Sequence, residues 1–261
     1  MIIIPAIDIR GGKCVRLLQG RFEEETVFSH DPVRVAVGWQ ARGAQLLHVV
    51  DLDGARTGAP VNLPVIERLI REVTIPVQVG GGVRSTETAR ALFSMGVSRV
   101  ILGSAALDDP SLISDLCMEF GDRILVSIDA RDGLVATHGW QTTEQKPAVQ
   151  LAREVKDLGV GEVVFTDITR DGALQGVNVE ATLAIARAGV RVIASGGIAS
   201  LEDVRRLAAL EGEGIVGAII GRALYTGDIN FEEAVEAARR RPEKSGEFLR
   251  TNLERGHRRG C

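Results

Sequence analysis

The sequence has few cysteines and no long apolar run. Its cysteines, Cys14, Cys117 and Cys261, are far apart and have no second Cys or His at metal-ligand spacing. This pattern argues against both a disulfide framework and a zinc site. The apolar runs are too short to span a membrane, so we expect no transmembrane helix.

The chain also lacks an export signal and a strong excess of one charge. Met1 leads directly into an apolar segment and Pro5, without a basic leader or a small-residue cleavage site, so we expect a cytoplasmic protein. The formal net charge of −4 argues against bulk attraction to nucleic acid, although a local positive pocket can still bind a phosphorylated small molecule. We therefore expect neither nucleic acid nor a membrane as a partner.

A duplicated segment carries the first functional signal. Residues 5–12 (PAIDIRGG) recur in altered form as residues 127–133 (SIDARDG). Each copy follows an apolar run typical of a strand buried on both faces, and each places one carboxylate, Asp8 or Asp129, at the strand end. Two such carboxylates in two half-copies predict an acid/base pair. The alternative is that each Asp only caps the turn after its strand.

The predicted fold class is α/β, because eight strand-then-helix units follow one another along the chain. Three further pairs of segments recur at nearly the same offset: 80–85 and 195–200, 53–55 and 171–173, and 103–105 and 221–223. These repeats indicate a duplicated (βα)4 unit. Two such halves can close into a (βα)8 TIM barrel and cover the sheet edges that each half exposes alone. A doubly wound open sheet is the competing fold.

One domain accounts for most of the chain. A length of 261 residues is ordinary for an α/β barrel, so we place a single barrel at residues 1–240, with half-barrels at about 1–122 and 123–240. Residues 241–261 are polar and basic, and we expect a frayed tail there rather than a docked segment. Residues 20–31 lack helical periodicity, which predicts a mobile loop. We expect a monomer, because a closed barrel has no sheet edges.

Glycine-rich turns predict two anion sites at the C-terminal ends of the strands. In a (βα)8 barrel these ends share one rim, where glycine amides and helix N-termini can approach a phosphate. One site is predicted after strands three and four, and the other after strands seven and eight. The alternative is that tight turns use glycine for steric reasons alone. The predicted phosphate-binding residues are Gly81, Gly82, Gly103, Ser104, Gly196, Gly197, Gly221 and Arg222.

Anion sites on opposite sides of the barrel mouth predict a bisphosphorylated small-molecule substrate whose middle passes over Asp8 and Asp129. An aldose–ketose isomerisation needs an acid to open a sugar ring and a base to move a proton from carbon. Two carboxylates can supply both functions if their environments separate their pKa values. This chemistry requires no metal and no cofactor, and we expect neither.

A combination of motifs is more specific than any one of these signals. It consists of PAIDI at 5–9, LHVVDLDGA at 47–55, GGGVR at 80–84, HGW at 138–140, FTDITRDG at 165–172 and SGGI at 195–198. Together these motifs resemble the phosphoribosylformimino-AICAR ribotide isomerase family of histidine biosynthesis, over about residues 1–240. The resemblance implies a (βα)8 barrel acting on a substrate with two ribose phosphates.

The resemblance also implies an Amadori rearrangement, in which an N-linked ribosylamine phosphate becomes its ribulosylamine counterpart. In the family's scheme the match to Asp129 protonates the ring oxygen, and the match to Asp8 then takes the C2 proton. Thr166 matches a threonine that helps to orient the acid, and Trp140 matches an aromatic residue that can stack on the imidazole carboxamide. We expect Arg16, on the first long loop, to reach a phosphate or the opened sugar; a solvated loop charge is the alternative.

Other polar residues near strand ends are given structural roles. His48 belongs to the family motif, but we expect a hydrogen-bonded structural group rather than a base. Asp51 and Asp167 are expected to support the rim through hydrogen bonds. The Asp-Gly pairs at 53–54 and 171–172 are typical of turns.

Three rival functions remain open. A related cyclase barrel shares both Asp positions, but that family typically has Cys-Leu-Asp where this chain has Ala6-Ile7-Asp8, and a Lys in place of Gln19. A dual-substrate barrel would also isomerise phosphoribosylanthranilate. A non-catalytic barrel would only bind phosphorylated metabolites or scaffold a partner enzyme. Retention of both Asp residues and both glycine-rich sites counts against the third.

Overall fold

The computed structural model describes residues 1–239, so the predicted tail at 241–261 lies outside the described residues. Within residues 1–239 the strands are β1 (Ile2–Arg10), β2 (Lys13–Leu18), β3 (Arg21–Ser29), β4 (Leu47–Asp51), β5 (Val77–Gly80), β6 (Arg99–Leu102), β7 (Ile124–Arg131), β8 (Leu134–Thr137), β9 (Thr142–Pro147), β10 (Glu162–Asp167), β11 (Arg191–Ser195) and β12 (Ile215–Ile220). The α-helices are α1 (Pro32–Ala41), α2 (Leu52–Thr57), α3 (Leu63–Glu72), α4 (Thr86–Ser94), α5 (Ala105–Asp108), α6 (Pro110–Phe120), α7 (Ala148–Asp157), α8 (Val179–Ala186), α9 (Leu201–Ala208), α10 (Arg222–Thr226) and α11 (Phe231–Arg239).

Eight of the described strands close into a parallel barrel. Their order around the ring is β1, β4, β5, β6, β7, β10, β11 and β12. The ring closes where β1 pairs with β12, from Ile2 beside Gly217 to Pro5 beside Ile220. This closure confirms the predicted (βα)8 barrel, and the open doubly wound sheet is therefore the wrong alternative.

The barrel strands direct their side chains into two apolar layers. One layer fills the barrel interior and includes Ile4, Leu125 and Val164, while the other lies between the strands and the helices. Strand side chains alternate with a period of two, so Asp8 shares the inward face of β1 with Ile4. By the same alternation Asp129 shares the inward face of β7 with Leu125. Both carboxylates therefore point into the mouth of the barrel.

Capping residues fix where helices begin. The Asp31 side chain accepts hydrogen bonds from the Val33 and Arg34 amides at the start of α1. Ser85 caps α4 by accepting a hydrogen bond from the Thr88 amide. Among the helices of residues 1–239, none combines the length and apolar character that a membrane span requires.

Antiparallel hairpins extend β1 and β7 beyond the barrel. In the first extension, Gly11-Gly12 is the turn between β1 and β2, and Gln19-Gly20 is the turn between β2 and β3. In the second, Asp132-Gly133 is the turn between β7 and β8, and β9 follows β8. All six turn residues have positive φ, as the two-residue type I′ hairpin turn requires. The predicted mobile loop at 20–31 is therefore wrong. Arg21–Ser29 is a strand that, among the strands of residues 1–239, pairs only with β2, and its largely polar, exposed side chains lack the apolar alternation of a strand.

Candidate active site

A cavity opens at the C-terminal ends of the barrel strands, with a volume of about 190 Å³. It is lined by the predicted catalytic and substrate-binding residues and by the first predicted phosphate group: Asp8, Arg16, Gly81, Gly82, Gly103, Ser104, Asp129, Trp140 and Thr166. A smaller cavity of about 40 Å³ shares Arg16 with the first and is lined by the second predicted phosphate group: Gly196, Gly197, Gly221 and Arg222. All predicted site residues thus lie at one end of the barrel.

Asp8 forms an ion pair with Arg16 inside the larger cavity. Arg16 Nη1 lies 2.6 Å from Asp8 Oδ2, and the two side chains are 13% and 14% exposed respectively. Arg16 Nη2 also donates to the Ala6 carbonyl at 3.0 Å. Burial raises the pKa of Asp8 above its ordinary value, and the Arg16 guanidinium offsets part of that rise.

The structure gives Arg16 a partner that the sequence did not indicate, and it rules out the alternative of a solvated loop charge, whereas contact with a phosphate or sugar stays a prediction. Arg16 lies on β2 rather than on an irregular loop, and its guanidinium contacts Asp8 rather than solvent. A side chain at Gly221 would overlap this guanidinium, so the glycine after β12 provides the space that Arg16 occupies. Arg16 therefore links the predicted base to the second predicted phosphate turn.

Three side chains act on the Asp129 carboxyl. Ser127 Oγ donates to Asp129 Oδ1 at 2.8 Å, and the donor groups of Trp140 and Thr166 lower the pKa of this carboxyl. Burial nevertheless raises the pKa of Asp129, and the donors offset part of the rise. Thr166 lies beside Asp129 in the register between β10 and β7, and its role in orienting the acid stays a prediction. Trp140 also affects the pKa of Asp129, which the sequence did not indicate.

Asp171 is a third carboxylate of the site, and sequence reasoning missed it. Its backbone amide donates to the Asp167 carbonyl, as expected of a turn, but its side chain lines both cavities. Burial raises the pKa of Asp171 to about 7; the charge of Arg16 lowers it, while those of Asp8 and Asp129 raise it. The available signal was the position of Asp171 just after a barrel strand, where loops face the mouth.

The glycine-rich turns have a steric function as well as access to the cavities. Gly81 and Gly196 have φ of 103° and 85°, and a side chain at either position would overlap the carbonyl of Asp51 or Asp167. Gly103, by contrast, has no atom within 4 Å of the position a Cβ would take. The steric alternative therefore explains part of the glycine pattern, and these same residues still line the cavities where backbone amides can meet an anion.

Two predicted phosphate residues bind neighbouring loops. Ser104 Oγ accepts a hydrogen bond from the His138 amide at 2.7 Å, which ties the end of β6 to the loop between β8 and β9. Arg222 donates to the Gly172 carbonyl at 2.5 Å, across from the loop after β10. An anion at either site would have to share or replace these contacts.

The aspartates that end β4 and β10 hold the rim together, as predicted. Asp51 accepts hydrogen bonds from the Gly54 amide at 2.8 Å and from the Asn62 side chain at 2.7 Å. Asp167 accepts from the Asn178 side chain at 2.7 Å, so the two halves repeat the same Asp–Asn contact. These hydrogen bonds fix the loops that carry the glycine-rich turns.

His48 is a hydrogen-bonded group of the barrel wall. Its Nδ1 lies 3.0 Å from Gln78 Nε2, and burial lowers its pKa to about 3, with smaller contributions from the charges of Arg16 and Arg99. A histidine with so low a pKa is neutral and a weak base at neutral pH. Within residues 1–239, no cluster of three or more His, Cys, Asp or Glu side chains is placed to hold a metal ion.

Fold and site together define a class of protein: a (βα)8 barrel with buried acid/base groups and glycine-rich turns where its strands end, the position at which such barrels carry out chemistry. Comparison with known families makes the assignment specific. Residues 2–230 match the family described as histidine biosynthesis protein, and this chain belongs to that family.

Curated relatives align over most of the chain. A protein of Heliobacterium modesticaldum is 54% identical over 240 residues, which are 92% of this chain and 98% of the relative. Proteins of Moorella thermoacetica and Picosynechococcus sp. are 53% and 52% identical, each over 91% of this chain and over 98% and 93% of their own length. All three are named as imidazole-4-carboxamide isomerases, and the compound in that name carries two phosphoribosyl groups. The predicted family resemblance is confirmed.

Proposed function

We propose that this chain is the aldose–ketose isomerase of histidine biosynthesis that its relatives are named for. It converts the N-linked ribosylamine phosphate of phosphoribosylformimino-AICAR ribotide into the ribulosylamine by an Amadori rearrangement. The observation that carries the proposal is that Asp8 and Asp129, from corresponding strands of the two repeated halves, line one cavity together with glycine-rich turns.

Asp129 opens the sugar ring by protonating the ring oxygen. The C1–O bond then breaks, and the nitrogen lone pair forms a Schiff base. Burial raises the pKa of Asp129, which favours the protonated form that an acid needs. Its hydrogen bond with Ser127 and the donor groups of Thr166 and Trp140 hold it in one orientation.

Asp8 takes the proton from C2 of the Schiff base and leaves an enolamine. Transfer of a proton to C1 and loss of the C2 hydroxyl proton then convert the enolamine into the ketose. A base must be ionised, and the Arg16 guanidinium at 2.6 Å stabilises the carboxylate form of Asp8. The two carboxylates therefore have different surroundings: Asp8 has a cation, and Asp129 has neutral donors. This difference supports the assignment of base and acid.

Asp171 is a second candidate for the proton donor. It lines the same cavity, and its pKa of about 7 leaves a substantial fraction protonated at neutral pH. Asp129 is preferred because its donors orient it and because it lies in the same position on β7 as Asp8 on β1. Variants of both residues separate the two assignments.

The two phosphates of the substrate are expected to bind at opposite sides of the mouth. One would lie near Gly81, Gly82, Gly103 and Ser104, and the other near Gly196, Gly197, Gly221 and Arg222. Trp140 borders the space between, where its indole can stack on the imidazole carboxamide. The reaction as proposed uses no cofactor.

Two features argue against the cyclase. Where that family typically carries a Lys, this chain has Gln19, whose neutral amide donates to the Thr169 carbonyl at 2.8 Å. The relatives compared above are named isomerases. A dual activity on phosphoribosylanthranilate would need the same sugar chemistry with a different aglycone, so both substrates belong in the test.

Purified protein should isomerise the bisphosphorylated substrate, and the Asp8→Asn and Asp129→Asn variants should each lose about 10²- to 10⁴-fold in kcat. Asp53→Asn is the control, because Asp53 is the repeat counterpart of Asp171 but binds the Gly11 amide outside the cavity. Activity of Asp8→Asn within tenfold of the unmodified protein would contradict the proposal. A larger loss in Asp171→Asn than in Asp129→Asn would assign the proton to Asp171.

We further propose a monomeric, cytoplasmic protein with no nucleic-acid partner. The closed ring offers no sheet edge, and the hairpin strands β3 and β9, which have one open edge among the described strands, are largely polar and exposed. The net charge of −4 does not favour polyanions. We place the boundary between the halves near residue 122, at the short helical turn Gly121–Arg123 that precedes β7. Sedimentation of the purified protein at micromolar concentration tests the monomer.

A further inference from the structure

The tip of the β2–β3 hairpin lies over the mouth of the barrel. Gln19 and Gly20 form its turn, with φ of 50° and 74°. Gln19 Nε2 donates to the Thr169 carbonyl at 2.8 Å, and the Gln19 amide donates to the Asp171 carbonyl at 3.3 Å. These bonds fix the tip on the loop that follows β10.

Gly20 then contacts the indole of Trp140. A Cβ at Gly20 would overlap Cε3 of the six-membered indole ring and would lie 3.1 Å from Cζ3 and 3.2 Å from Cδ2. Trp140 comes from the other half of the barrel, in the loop between β8 and β9, and has the unfavourable φ of 67° for a large side chain. Its indole lines the same cavity as Asp129, and the Trp140 side chain lowers the pKa of that carboxyl.

We propose that Gly20 is a positioning residue for the isomerisation: its missing side chain lets the Trp140 indole lie against the hairpin tip and donate to Asp129. This inference rests on the proposed function, because it assigns Gly20 an effect on the acid of that reaction. The contact also joins the two halves, since Gly20 follows β2 and Trp140 follows β8. A residue of the hairpin tip, on the wall of the same cavity, thereby orients the proton donor.

The expected effect of a side chain at Gly20 is the loss of one donor to Asp129. Ser127 keeps its hydrogen bond and Thr166 stays beside Asp129 in the sheet, so the acid stays in place but loses part of its orientation. Asp129 becomes a carboxylate as it gives up its proton, and a single hydrogen bond to a charged group corresponds to about a 10- to 100-fold change in rate. We expect Gly20→Ala to lower kcat by about that factor, with a smaller change in KM.

Backbone strain is separated from the contact by a matched control. Gly133 is the second residue of the corresponding turn between β7 and β8, with φ of 79°. It has no atom within 4 Å of the position of a Cβ. Gly133→Ala therefore introduces similar strain in a type I′ turn without displacing a side chain, and its kcat should stay within about threefold of the unmodified protein.

Fluorine NMR of protein labelled with 5-fluorotryptophan tests the geometry without any substrate. The chain has two tryptophans, Trp39 and Trp140, so Trp140→Ala assigns both signals by removing one. Gly20→Ala should shift or broaden the Trp140 signal and leave the Trp39 signal in place, while Gly133→Ala should leave both. An unmoved Trp140 signal in Gly20→Ala would overturn the proposal, whether or not Asp129 is the acid.

A double-mutant cycle tests the link to catalysis. If Gly20 acts through Trp140, then adding Gly20→Ala to Trp140→Ala should cost less than about threefold in kcat. An undiminished penalty in that background, or a shifted NMR signal with unchanged kcat, would overturn the positioning role. Full activity of Asp129→Asn with a shifted Trp140 signal would instead contradict the proposed acid and leave the Gly20–Trp140 contact established.

Discussion

Replacing Arg16 by Met should move the acidic limb of the pH–rate profile upward. The Arg16 guanidinium lies 2.6 Å from the Asp8 carboxylate, and both side chains are largely buried. Burial already raises the pKa of Asp8, and the cation opposes that rise. Without Arg16 the carboxyl holds its proton to higher pH, so a smaller fraction of the enzyme carries an ionised base near neutral pH.

The magnitude follows from the charges. Two unit charges about 4 Å apart interact by about 4 kcal/mol at an effective dielectric constant of about 20. That energy equals about three pKa units, at about 1.4 kcal/mol per unit. Water entering beside the shorter Met side chain reduces the effect, so we expect the acidic limb of kcat/KM to move up by about two units. Arg16→Lys keeps the charge and should move it much less.

The assay is kcat/KM measured from about pH 5 to pH 9, a range over which His, shifted Asp and Glu groups titrate. Arg90→Met is the control, because Arg90 pairs with Glu119 on the outer surface, at 2.7 Å. Its profile should match that of the unmodified protein. If Arg16→Met lowers the rate equally at every pH and leaves the limb in place, then Arg16 acts through the substrate and the electrostatic reasoning is wrong.

Two further predictions concern stability. Gly196→Ala should lower the free energy of unfolding by about 2 to 4 kcal/mol, because a Cβ there would lie 2.7 Å from the Asp167 carbonyl at a φ of 85°. Gly227→Ala, at a φ of 80° with open space around it, should lower the free energy of unfolding by about 1 kcal/mol. Equal losses for the two variants in urea denaturation would disprove the overlap at Gly196. Burial lowers the pKa of His48 to about 3. The contribution of the neutral His48 to the free energy of unfolding is therefore present above the ordinary histidine pKa and is lost as the pH falls toward 3. Between pH 7 and pH 5 the unmodified protein should lose up to about 2 kcal/mol more than His48→Gln, whereas parallel pH dependences would count against a neutral, buried histidine.

The barrel was predictable because its signals are local and repeated. Each βα unit combines an apolar strand, a turn and the start of a helix, and Asp31 before α1 is an example of such a start. Eight repetitions of this pattern predict the α/β fold class. The inward direction of Asp8 and Asp129 follows from alternation along β1 and β7 once the strands are located. Closure of the ring then brings both strand ends to one rim without further information.

Other features depend on contacts that no short segment contains. The strand Arg21–Ser29 is largely polar and exposed, because it covers the barrel instead of forming its wall. Arg16 was assigned to a phosphate or sugar, and its ion pair with Asp8 arises from how β2 folds back on β1. The raised pKa of Asp171 comes mainly from burial by loops of both halves, so a turn motif alone does not reveal it.

The pairing of β1 with β12 joins two strands that the ribosome makes far apart in time. β1 ends at Arg10 and its neighbour β12 begins at Ile215, so β1 leaves the ribosome long before its partner in the ring is made. Until then, one edge of β1 has no hydrogen-bonding partner in the ring, and such apolar edges promote aggregation. The nascent chain must therefore keep β1 protected until β12 is made, and only then is the mouth containing Asp8 complete.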